Sequence, residues 1–97
     1  MVTTGKVELA KTIAQKTGIT QKQAAEFINA FVDTVEEKLI EGNKVQLVGF
    51  GTFLTRQRES REGRKPGTGE KITIPASIVP VFRAGKNLKE KLNTDHK

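Results

Sequence analysis

Between Arg56 and Lys71 the chain has no large apolar side chain, yet strand-like segments, Thr52–Thr55 and Ile72–Ile74, stand on either side. Such a stretch has nothing to bury, so it cannot fold back into a hydrophobic core. It reads as a long hairpin or loop held away from the rest. Its middle, Arg64-Lys65-Pro66-Gly67-Thr68-Gly69, carries a turn signal. Pro66 pre-sets the first central position of a type II turn, and Gly67 accepts the positive φ of the second.

Setting that stretch aside leaves a small core in a chain of 97 residues, and no cysteine is present to staple it. Domains of this size bury too little surface to be secure alone. A second copy is the remaining source of buried area, and an obligate dimer is expected. The expected layout is one domain over 1–97. It comprises a helical dimerisation part (1–43), a sheet with an arm over about 56–74 and a last helix (44–92), and a frayed tail (93–97).

Helical periodicity places a first helix over about Lys6–Lys16, stopped by Thr17-Gly18. Thr20 and Gln23 have capping-box spacing and open a second helix over about Gln21–Glu41, which ends at Gly42-Asn43. At 100° per residue Ala24, Phe27, Ile28, Phe31, Val32, Val35 and Leu39 share an arc of roughly 140°, wide enough to face both the first helix and a partner subunit. After Gly42 the pattern alternates through Val45, Leu47, Phe53 and Thr55, with a sharp turn at Gly49-Phe50-Gly51. Ile72–Phe82 returns as a strand broken at Pro75 and Pro80, each of which removes a ladder donor. A short helix over about Gly85–Leu92 follows. The fold class is therefore α+β: two helices, a three-stranded antiparallel sheet with a long arm, and a C-terminal helix.

The net charge of +6 is unevenly placed. Residues 1–44 are neutral overall, whereas 56–71 and 83–97 each carry an excess of three positive charges. A neutral half joined to a basic half suits a scaffold that presents a cationic surface to a polyanion. The uncharged run Val45–Thr55 falls far short of the about 20 residues a membrane span needs. Met1–Ala10 has no apolar signal region, and the cytoplasm is the expected compartment. His96 is the only histidine, and neither cysteine nor tyrosine occurs, so no catalytic centre, metal site, cofactor or small-molecule substrate is expected.

In the arm, Arg56 and Arg58 alternate with Gln57 and share one face of a strand, Arg64 and Lys65 stand beside the tip, and Lys71 lies on the returning strand. A ribbon is thin enough to follow a groove, and guanidinium forks suit phosphate oxygens. Pro66 reads either as a turn residue or as an apolar wedge of the kind that opens a base step from the minor groove.

Val48-Gly49-Phe50-Gly51-Thr52-Phe53, Arg56-Gln57-Arg58, Gly63-Arg64-Lys65-Pro66 and Val79-Pro80-Val81-Phe82-Arg83-Ala84-Gly85-Lys86 resemble the HU/IHF family of bacterial histone-like DNA-binding proteins over about Lys6–Leu92. The resemblance implies an intertwined dimer whose two arms follow the minor groove of duplex DNA, and a place on the nucleoid. It implies that Pro66 intercalates and that Arg56, Arg58, Arg61, Arg64 and Lys71 bind DNA; Lys65, which adds a charge at the tip, and Arg83 are expected to bind it as well. Lys86, at a helix start, matches a phosphate-contacting lysine. The resemblance places Phe50 in a dimer core, which is expected to hold Phe27, Phe31, Val35, Leu47, Phe53 and Phe82 as well. Phe50, between two glycines, is expected to have nothing local to pack on. Lys65 and Gly67 depart from the asparagine and the longer polar residue usual in the family. Two other functions fit the same parts: one half of an IHF-like site-specific heterodimer, and a small RNA-binding protein.

Overall fold

In a computed structural model describing residues 1–94, the elements run α1 (Lys6–Thr17), α2 (Gln21–Ile40), β1 (Val45–Leu47), β2 (Gly51–Arg58), β3 (Arg61–Arg64), β4 (Lys71–Ile74), β5 (Ser77–Ala84) and α3 (Lys86–Thr94). The fold is α+β, as expected. Two compact units form, residues 1–37 and the remainder, with the division inside α2.

Local chemistry sets the helix ends. Gly18 adopts φ +82° and its N–H donates to the Ala14 carbonyl at 2.9 Å, closing α1. The Thr20 hydroxyl accepts from the Gln23 N–H, and the Thr20 N–H donates to the Gln23 side-chain oxygen, each at 3.0 Å. Two donors that α2 would otherwise leave unpaired are thus satisfied reciprocally. At the far end Gly42 turns to φ +91°, and Asn43 and Gly42 donate to the carbonyls of Lys38 and Leu39 at 2.9 and 3.0 Å. This paired closure ends α2 at Ile40.

In the first unit, Lys6 donates to Asn29 at 2.8 Å, tying the start of α1 to α2. Ala10 and Ala24 are the only buried hydrophobic residues among those described, and no large side chain is fully buried. The middle of the broad apolar stripe of α2 is therefore open, with Phe27 60%, Phe31 38% and Val32 45% exposed, while Ile28, Val35 and Leu39 are half-buried.

In the second unit, β1, β2 and β5 form an antiparallel sheet in the order β1-β2-β5, and β3 pairs with β4 as a separate two-stranded ribbon. Leu47 and Phe50 close the β1–β2 turn through a 2.9 Å bond, with Gly49 at φ +88°. β2 runs on to Arg58 and β5 starts at Ser77, so the proximal arm belongs to the sheet's longest strand pair. Pro75 lies at the expected break. Pro80 does not interrupt β5, and its register partner is Thr55. β5 is an edge strand, where a missing donor is tolerated on the open side. α3 continues two residues past its expected end at Leu92, where the Asn93 side chain donates to the Lys89 carbonyl at 2.7 Å. Of the expected tail, residues 95–97, His96 included, lie outside the described residues.

Candidate nucleic-acid interface

The register 56↔79 to 58↔77 resumes as 61↔74 to 64↔71, so Glu59-Ser60 and Pro75-Ala76 leave the ladder opposite one another without a slip. This break divides the arm into a proximal pair, β2–β5, and a distal ribbon, β3–β4. Strict alternation would send Arg61 away from Arg58, yet Arg56, Arg58 and Arg61 line one open concavity with Glu59, Ile74 and Val79. Arg83, opposite Thr52, shares the sheet face of Arg56 and Arg58.

Arg64 and Lys71 face each other across the distal ribbon. Like charges directly opposed destabilise a strand pair, so this arrangement favours an anionic partner over stability of the free arm. Among the described residues the ion pairs are Lys38–Glu41 and Lys86–Glu90, both outside the arm. The arm's cations thus remain open to an anionic ligand.

The tip departs from a simple type II turn. Gly67 has the expected positive φ, +88°, but the closing bond runs from the Gly69 N–H to the Lys65 carbonyl at 3.0 Å, one residue later than expected. Gly69 makes this possible with its own positive φ, +74°, and the Lys65 N–H donates to the Glu70 carbonyl at 2.8 Å. Arg64 braces the loop, donating to the Gly69 carbonyl at 3.0 Å. Pro66 is exposed on this four-residue loop, with Lys65 beside it.

Lys86 opens α3, where unpaired N–H groups favour anions. Its ammonium lies 3.9 Å from Glu90 in an exposed pair that a phosphate can displace.

The aromatic residues assigned to a dimer core form two groups. Phe27 and Phe31 stack at 6.4 Å on α2, where Val35 is half-buried. Phe82 lies 5.2 Å from Phe50 and 5.0 Å from Phe53, while Leu47 pairs with Gly51 at the edge of that cluster. Phe50 therefore has a local partner, contrary to the sequence expectation, because the register brings Phe82 across to it. Both rings nevertheless stay more than 40% exposed.

Two helices, a three-stranded sheet continued by a cationic two-stranded ribbon, and a third helix starting at a lysine define an α+β protein with one basic arm per chain. Residues 4–93 match the family model "Bacterial DNA-binding protein". Among curated relatives, DNA-binding protein HU of Clostridium pasteurianum is 54% identical over 88 residues, covering 91% of this chain and 97% of the relative. HU of Lactococcus lactis is 54% identical over 85 residues, covering 88% and 93%. Among solved structures, the Anabaena HU–DNA cocrystal structure superposes with a TM-score of 0.89 at 46% identity, covering 94% of this chain and 99% of that one. HU from Thermotoga maritima gives 0.65 at 31% identity, covering 93% and 100%. The chain belongs to the bacterial DNA-binding protein family and, within it, to the HU proteins.

Proposed function

We propose that this chain is an architectural DNA-binding protein. As a single-domain homodimer on the bacterial nucleoid, in the cytoplasm, it grips duplex DNA through the minor groove with little regard for sequence. Each basic arm inserts Pro66 between base pairs, and the duplex bends. The role is structural, with no catalysis and no cofactor.

The observation that carries this reading is the cationic concavity at the break in the arm. Three arginines line one concavity, no carboxylate among the described residues forms an ion pair with them although Glu59 lines it too, and an exposed proline caps the ribbon. The names of the relatives and the Anabaena HU–DNA cocrystal point to the same ligand. Arg64, Lys65 and Lys71 add charge towards the tip, while Arg83 and Lys86 extend it to the sheet and α3. Support for the homodimer comes from burial: a chain whose buried hydrophobic residues, among those described, are two alanines lacks the core to stand alone.

A gel-shift series on intact, nicked and kinked duplexes of one sequence tests the proposal. A bending protein binds best where the deformation already costs least, so affinity should rise from intact to nicked to kinked DNA. Equal binding to all three would count against bending, and tighter binding to structured RNA at equal salt would favour an RNA ligand. Failure of the chain to purify alone as a stable dimer would point to an unlike partner.

A further inference from the structure

The distal ribbon has two different faces. Register and alternation put Glu62, Arg64, Lys71 and Thr73 on one, and Arg61, Gly63, Ile72 and Ile74 on the other. Ile72 and Ile74 are the large apolar side chains of this ribbon, and they remain 41% and 36% exposed. Gly63 lies beneath them: a Cβ there would come within 3.0 Å of Ile74 Cδ1 and 3.8 Å of Ile72 Cγ1. The missing side chain lets both isoleucines settle onto the backbone as a low ridge. At its inner end Ile74 joins the concavity of Arg56, Arg58 and Arg61.

Exposed isoleucines on an otherwise polar arm lose hydrophobic stabilisation in the free protein, which a suitable partner surface would restore. That partner must be polyanionic, since arginines continue the same face, and must also offer apolar walls. The minor groove of B-form DNA has both, with phosphates at its rims and deoxyribose edges along its sides. An RNA duplex has a wide, shallow minor groove displaying 2′-hydroxyls, and covering those with isoleucine leaves polar groups without partners.

We propose that Ile72 and Ile74, seated over Gly63, pack on the deoxyribose walls of the minor groove and select DNA over RNA. The inference rests on the duplex-binding reading above and adds an element that distinguishes the sugar. Intercalation by Pro66 and phosphate contacts by the arginines do not depend on it.

The test compares the full chain with the double variant Ile72→Thr/Ile74→Thr, which keeps β-branched residues in the strand. Dissociation constants are measured for DNA and RNA duplexes of one sequence at equal salt. Affinity for DNA should fall on the order of tenfold while affinity for RNA changes less than twofold, and the salt dependence should stay the same. Gly63→Ala, which lifts the ridge slightly, should shift selectivity in the same direction by about twofold. Thermal melting of both variants should match that of the parent chain, since the ribbon pairs only with itself. Equal losses for DNA and RNA, or no loss for either, would overturn the proposal. So would unchanged DNA affinity accompanied by loss of self-association, which would make the ridge a protein contact. A parent chain unable to bind duplex DNA would overturn the broader reading, whereas selectivity retained in a DNA-binding double variant overturns the ridge alone.

Discussion

Gly51 and Phe82 meet at a distance that only glycine allows: a Cβ at position 51 would stand 2.6 Å from the ring and 2.7 Å from the Arg83 carbonyl oxygen. The ring in turn lies between Phe50 and Phe53, so it has little freedom to withdraw. Gly51→Ala should therefore destabilise the protein by about 1–3 kcal/mol, the usual cost of overpacking. Chemical denaturation would show this as a lower midpoint with an unchanged slope. An alanine variant as stable as the parent would contradict the packing.

Assembly should govern the folding equilibrium. With Phe27, Phe31, Phe50 and Phe82 left exposed in one chain, folding and dimerisation are expected to occur together. Tm should then rise with protein concentration. A melt that does not shift over a hundredfold dilution would show that the single chain is stable by itself.

Charge neutralisation has its own signature. If the dimer neutralises about six phosphates, log affinity plotted against log salt should have a slope near −5. Arg58→Ala should reduce that slope by about two, one contact per arm, and weaken binding similarly on all sequences. A slope unaffected by the substitution would remove Arg58 from the phosphate contacts.

The features legible in the sequence were those set by neighbouring residues. Gly18, Gly42 and the Thr20–Gln23 pair announce helix ends because their hydrogen bonds reach only a few positions along the chain. The arm was legible because a run without apolar side chains cannot enter a core. Features that depend on pairing across strands were hidden. The break in the ladder sets Glu59-Ser60 opposite Pro75-Ala76, and across it Arg61 shares the concavity of Arg56 and Arg58. The partner of Phe50 was hidden because Phe82 is distant in sequence and near only through the sheet. The tip closed one residue late because Gly69 supplies a second positive φ that Pro66-Gly67 does not announce. Similarly, Ile72 and Ile74 read as an ordinary strand until the register placed Gly63 beneath them.

The central claim is that Pro66 acts as a wedge, separately from the phosphate grip, and Pro66→Ala tests it most directly. Energy transfer between labels at the two ends of a duplex reports the bend, and the salt slope measured on the same samples reports the phosphate contacts. Opening a base step costs a few kcal/mol, so loss of the wedge should leave the duplex much straighter while affinity for intact DNA changes little. The slope should stay where it was, because no cation has been removed. Bending that persists undiminished in the Pro66→Ala protein would contradict the account, reducing Pro66 to a turn residue and leaving charge neutralisation by the arms to bend the DNA.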